Sequence, residues 1–175
     1  FLDGTQPSLE ALLCNLADEI AYNAHDIDDG VRSGLIAIEQ LQEVALFERF
    51  RSEAVAEYSQ LAGRRVLYET IRRMLCAQVY DVIDATRVAV ADAARADFEA
   101  VRRCGRLVRF TESMRAESTE LKRFLFANLY RHARVLQTTT QAQDVVRELF
   151  AAYLGSPEGM PPDYAQREDT RRAVA

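Results

Sequence analysis

The chain has 175 residues, 49% of them hydrophobic, enough to bury a core; it favours one domain, or part of one, and excludes a disordered chain. Acidic and basic residues, 27 and 22 in number, are mixed along it to a formal charge of -5, so there is no global basic field and nucleic acid is a disfavoured partner that only a local basic groove would suit. Cys14, Cys76 and Cys104 are odd in number and show no CxxC spacing, which argues against a disulfide framework or zinc knuckle and for a reducing cytoplasm; no charged-then-apolar leader and no apolar run of about 18 residues indicates export or membrane spanning.

With only 7 Gly and 4 Pro, three of the prolines crowded at Pro157, Pro161 and Pro162, the composition predicts an all-α fold of several packed helices. The chain opens in mid-flow on Phe1 rather than Met, so a fragment is expected. Pro7-Ser8 predicts a helix entry, followed by Leu9, Leu13, Leu16, Ile20 and Ile27 on one side at 100° per residue. The stop is expected at Asp28-Asp29-Gly30, with Ser33-Gly34 extending the break.

From Leu35 to about Leu61 a helical period resumes through Ile38, Leu41, Val44, Ala45 and Phe47, until Ala62-Gly63 interrupts it. Arg64 to about Ala96 follows as a long helix, with Val66, Ile71, Leu75, Val79, Val82, Ile83 and Val90 three or four apart for the most part. Ala96 to Phe110, less regular and containing Cys104-Gly105, is expected to be a short helix and a loop. Two more helices are expected at Glu120 to about Val135 and at Thr138 to Tyr153, with Thr138-Thr139-Thr140 as the start signal of the second. A turn-rich connector, Gly155 to Pro162, leads to an amphipathic piece from Tyr164 to Ala175 that stops without a cap, again as a truncation would.

The first helix carries a second pattern. Asp18, Tyr22 and Asp26 are each four residues apart, so successive members turn by about 40° and rise about 6 Å, drawing a shallow line about 12 Å long. The line lies away from the apolar stripe and can face a cleft. One carboxylate can hold a divalent cation near phosphates, the tyrosine can pack on a sugar, and the other carboxylate can accept a hydrogen bond from a sugar hydroxyl. A plain solvated face fits the same spacing, and spacing alone favours it.

The run NLADEIAYNAHDIDDGVRSGL, Asn15 to Leu35, resembles the segment after the His-Asp doublet in dGTP triphosphohydrolase-like proteins of the HD phosphohydrolase superfamily. The resemblance continues through YETIRRML (Tyr68 to Leu75), DVIDATR (Asp81 to Arg87), LKRFLFANLYRHARV (Leu121 to Val135) and ELFAAYL (Glu148 to Leu154), in the order of the phosphohydrolase-associated C-terminal region. It implies an HD-type helical bundle divided into residues 1–62, the C-terminal part of the HD domain, and residues 63–175, the associated helical region. It further implies hydrolysis of a dNTP, dGTP being one candidate, to deoxynucleoside and triphosphate in a homo-oligomer. A divalent ion, Mg2+ or Mn2+, would activate water for attack on the α-phosphate. By the same resemblance Asp18 is the last metal ligand, and Tyr22 and Asp26 contact the deoxyribose and discriminate against ribonucleotides.

His25-Asp26 follows Asp18 where the family's doublet precedes it, so it is not assigned as the metal doublet; His132 is the only other histidine, and the chain by itself is expected to be inactive. Asp26-Ile27-Asp28-Asp29-Gly30 fails as a calcium loop, with Gly30 where a ligand is needed and Val31 where glycine is needed. Arg64, Tyr68 and Arg72 form one ridge and Arg65, Glu69 and Arg73 the next, which makes Arg64 and Arg72 candidate phosphate contacts and an ordinary surface ion-pair ladder the equal alternative. Arg102, Arg103, Arg106 and Arg109, with Arg131 and Arg134, are candidates for an anion or single-strand groove, against a solvated or subunit-contacting surface that is favoured. A non-catalytic helical regulatory or assembly module is the alternative for the whole chain.

Overall fold

The computed structural model describes residues 5–93 and 97–165, without the side chain of Phe98, and among them the fold is all-α. Helix α1 spans Leu9–Arg32, α2 Ile38–Leu41, α3 Ala45–Glu57, α4 Arg64–Ala93, α5 Phe98–Arg103 and α6 Glu112–Leu125; a wider turn, Phe126–Tyr130, follows, then α7 Ala133–Gly155, a 3-10 turn Pro157–Gly159 and α8 Pro162–Ala165. Most of the piece expected from Tyr164 to Ala175, and the expected end of the long helix at Ala96, lie outside the described residues.

Ser8 caps α1 as expected, its Oγ accepting from the Ala11 N–H at 3.2 Å. The expected stop at Gly30 is corrected: α1 runs on to Arg32 and ends at Gly34, whose φ is 70°. There the Gly34 N–H donates to the Val31 carbonyl and the Leu35 N–H to the Gly30 carbonyl, the paired bonds of a Schellman ending. Gly30 serves another purpose. A Cβ on it would stand 2.7 Å from Ile36 Cδ1, so its hydrogen lets the chain fold back over the helix.

The single period expected from Leu35 to Leu61 is broken into α2 and α3 by a turn at residues 42–44. Gly63, at φ 56°, does separate α3 from α4, and Gly105, at φ 77°, follows α5. Downstream, Thr111 starts a helix that the sequence places at Glu120: its Oγ1 accepts from the Met114 N–H at 3.3 Å, and Asp81 of α4 takes its N–H and hydroxyl at 2.9 and 2.7 Å. Thr138 and Thr140 are likewise not a start signal, since both lie inside α7 with hydroxyls donating to carbonyls four residues back, Arg134 and Leu136, at 3.0 Å.

The chain forms two compact units, Phe1–Leu129 and Tyr130–Ala175. In the first, Leu16, Ile20 and Ile27 of α1, Leu46 and Phe47 of α3, Leu67 and Met74 of α4, and Met114, Leu121 and Leu125 of α6 share one buried cluster. Ion pairs tie its rim: Arg49 of α3 forks Glu117 of α6 with two bonds of 2.8 Å. In the second unit every residue of α7 except Val135 is exposed. No helix among the described residues is long and apolar enough to cross a membrane.

Candidate functional site

Helix α1 holds Asp18, Tyr22 and Asp26 on one uninterrupted rod, so the line about 12 Å long expected from their spacing is kept. Leu12, Leu16, Ile20, Asn23, Ile27 and Gly30 face the core. At 100° per residue Asp18 projects opposite that stripe, and Tyr22 and Asp26 come progressively round towards one flank. Exposure follows this rotation: Asp18 is exposed, Tyr22 is 61% exposed and Asp26 is half-buried. A tyrosine so open contributes little to the core, and its ring is free to meet a ligand.

As a metal centre the described residues fall short. Among them no three His, Cys, Asp or Glu side chains gather closely enough to hold an ion. His25 is two turns, about 10 Å, along the helix from Asp18, too far to share an ion with it. Asp18 is one ligand at most, and no chemical step can be built on a metal held by these residues alone.

The two α4 candidates are engaged. Arg64 lies over the Tyr68 ring, 5.6 Å from its centroid. Arg72 forks the carboxylate of Glu69 through Nε and Nη2 at 2.8 and 2.7 Å. Arg73 donates to Glu69 at 2.7 Å and to Glu57 of α3 at 2.6 Å. The hydrogen bonds from Arg72 and then Arg73 hold the Glu69 carboxyl down at about 2, and Glu69 in turn raises the Arg72 guanidinium. An ion-pair ladder is therefore present, built on Glu69, Arg72, Arg73 and Glu57. Beside it Tyr58, Leu61, Arg65, Tyr68, Glu69 and Arg72 line an open groove of about 580 Å³.

The Arg102-to-Arg109 set does not act as one stripe. Arg102 donates to the Gln6 carbonyl and the Thr5 hydroxyl at 2.9 Å, tying α5 to the segment before α1, while Arg103 stands 3.8 Å from Glu99. Arg109 lines a groove with Asp84 and Glu112, and Arg106 a smaller cavity with Asn15 and Glu19. Glu19 is the residue that sequence reasoning passes over. Next to Asp18 in the chain, it binds two cations of α6, Arg115 at 3.2 Å and Lys122 at 3.3 Å. That contact spans about a hundred residues of chain and leaves no periodic signal.

Residues 108–175 match the phosphohydrolase-associated domain. Over the full length of the chain, 54% of residues are identical to a deoxyguanosinetriphosphate triphosphohydrolase-like protein of Bordetella pertussis, 46% of which is covered. A protein of the same description from Ralstonia nicotianae is 51% identical over 96% of the chain and 43% of its own length. Another, from Nitrosomonas europaea, is 40% identical over 95% of the chain and 45% of its own length. The chain spans about half the length of the curated relatives it matches.

Proposed function

We propose that this chain, similar over its whole length to deoxyguanosinetriphosphate triphosphohydrolase-like proteins, belongs to their family and carries the sugar-reading side of the active site of a metal-dependent dNTP triphosphohydrolase. The reaction is hydrolysis of a dNTP, dGTP among the candidates, to deoxynucleoside and inorganic triphosphate. The observation that carries this reading is the line on α1, with Asp18 and Tyr22 exposed and Asp26 half-buried on the flank. Its length suits a nucleotide laid along the helix, phosphates towards Asp18 and deoxyribose towards Tyr22 and Asp26.

In this reading Asp18 supplies one ligand to a divalent ion, Mg2+ or Mn2+, whose remaining ligands come from a histidine and a His-Asp doublet outside these 175 residues. When bound, the ion polarises phosphate oxygens and activates water. The residues of this chain orient the substrate. Tyr22 packs against the sugar, and Asp26 accepts a hydrogen bond from a sugar hydroxyl. A ring and a carboxylate closed on deoxyribose leave no room for a ribose 2′-hydroxyl. Arg72, which lines the α4 groove, and Arg64, over the Tyr68 ring, are further cations for phosphate, Arg72 exchanging Glu69 for the substrate. Residues 1–62 are assigned to the HD domain and residues 63–175 to the associated region. The full-length enzyme is proposed to be a cytoplasmic homo-oligomer, and these residues alone to be inactive.

Tyr22→Ala in the full-length protein tests the sugar role. The ratio of kcat/KM for a dNTP over the matching NTP is expected to fall about tenfold or more, a differential loss of about 1.4 kcal/mol or more. An unchanged ratio would remove Tyr22 from the site.

A second reading, a non-catalytic helical regulatory or assembly module, has one observation in its favour. Tyr68, Leu75, Val79, Ile83 and Val90 of α4 are exposed, at helical spacing along one side, as an assembly surface requires. Release of triphosphate by the full-length protein separates the two readings.

A further inference from the structure

Helix α7 carries an apolar seam that is left open. Val135, Thr139, Ala142, Val146, Leu149 and Tyr153 follow one another at alternating steps of four and three, the d and a positions of a heptad sustained over most of the 23-residue helix. A stripe with this period is what one helix offers to another helix running along it. All four charged residues of α7, Arg134, Asp144, Arg147 and Glu148, point away from the seam at b, c and f positions, where Arg147 and Asp144 pair with each other at 2.8 Å. The flanks of the seam are uncharged, with Leu136 and Phe150 on one side and Val145 on the other.

Solvent reaches most of this face. Val145, Val146 and Leu149 are 54%, 65% and 53% exposed, and Tyr153, whose ring lies beside Gly159, still keeps 37%. Covering the face with its like would remove roughly 1,000 Å² from water over two copies, the size at which an interface between chains becomes specific. No like charges would be brought together, because none lies on the seam or its flanks.

The volumes along the seam identify what covers it. Small side chains, Thr139 and Ala142, lie towards the N-terminal end of α7, and large ones, Leu149 and Tyr153, towards the C-terminal end. Two such helices running in the same direction would stack Tyr153 on Tyr153 and leave Ala142 facing Ala142 across a gap. Running in opposite directions, every layer joins a large residue to a smaller one: Tyr153 to Val135, Leu149 to Thr139 and Val146 to Ala142, each an a position against a d position. The opposed helix dipoles favour the same arrangement. We propose that α7 pairs antiparallel with α7 of a second copy of this chain, about a twofold axis midway between Ala142 and Val146. The pairing rests on the homo-oligomer of the proposed function and not on its chemistry.

Sedimentation equilibrium of the full-length protein reads the assembly, with far-UV circular dichroism as the check on folding. Leu149→Glu places a carboxylate at an exposed position of the single helix, but inside the pair leaves it opposite Thr139 with nothing to neutralise it. The mass of the assembly is expected to fall about twofold or more. Arg147→Gln, on the outer side of α7, is expected to leave the mass unchanged. Adding Thr139→Lys to Leu149→Glu sets a cation opposite each carboxylate in the antiparallel pair alone, and is expected to restore the parental mass. The proposal is overturned if Leu149→Glu keeps the parental mass, if Arg147→Gln lowers it as much, or if Thr139→Lys fails to restore it. Unfolding of Leu149→Glu without recovery in the double variant also overturns it, since another part of the same chain would then cover the face. A monomeric parent ends both the seam and the homo-oligomer, whereas an oligomeric parent indifferent to Leu149→Glu ends the seam alone.

Discussion

A hydrogen in place of a methyl group decides how the chain leaves α1. Gly30→Ala would place a Cβ 2.7 Å from Ile36 Cδ1, at a position where Ile36 is itself buried and has little room to retreat. The variant is expected to lose about 1–3 kcal/mol of stability by urea unfolding; parental stability would mean that the residues after α1 re-pack without strain. Tyr22→Ala should behave in the opposite way. With 61% of the tyrosine exposed, its removal is expected to change stability by no more than about 0.5 kcal/mol while altering sugar selection, which separates a ligand contact from a packing role. The spacing of Asp18, Tyr22 and Asp26 was legible because one helix carries all three, and a period of 3.6 residues fixes their relation. Glu19 was not, because its meaning lies in Arg115 and Lys122, which only the packing of α6 brings to it.

Helix starts are legible where a local residue decides them. Ser8 and Gly63 act within their own turns, and the sequence places both correctly. At Thr138 and Thr140 the same hydroxyl chemistry satisfies carbonyls of the preceding turn, so residues that look like caps sit in a helix interior. The true start of α6, Thr111, is fixed by its own cap bond and by Asp81, 30 residues upstream. Thr111→Val should therefore destabilise the chain by about 0.5–2 kcal/mol in chemical unfolding; no loss would show that Asp81 and the cap do not set this helix. The ladder that links α3 to α4 gives a pH dependence. Glu69 titrates at about 2 when folded, below its ordinary carboxylate value, so its contribution is present above the unfolded value of 4.5 and is lost as pH falls towards about 2. The difference in Tm between the parent chain and Glu69→Gln should shrink over that window, and a difference that persists at pH 2 would contradict the assignment.

On the scale of the whole molecule, sequence blocks and compact units divide the chain differently. The resemblance splits it at 62/63 and the phosphohydrolase-associated match begins at 108, yet α4 and α6 share a core with α1 and α3, and the first unit closes only at Leu129. Blocks of similarity report descent, whereas the core forms wherever apolar faces meet, and Met114, Leu121 and Leu125 meet α1. A chain cut after Leu107 is accordingly expected to lose cooperative unfolding, while one cut after Leu129 keeps it; equal behaviour of the two would deny α6 its place in the core. The candidate site was legible as a line of three residues and not as a metal centre, because among the described residues no three His, Cys, Asp or Glu side chains gather closely enough to hold an ion. The proposed function places Asp18 at the phosphate end of that line. Its most direct test is the release of inorganic triphosphate from dGTP by the full-length protein with Mg2+ or Mn2+, before and after Asp18→Ala. A metal ligand at Asp18 predicts a loss of about a thousandfold or more with thermal stability retained; turnover within a few fold of the parent would contradict that role.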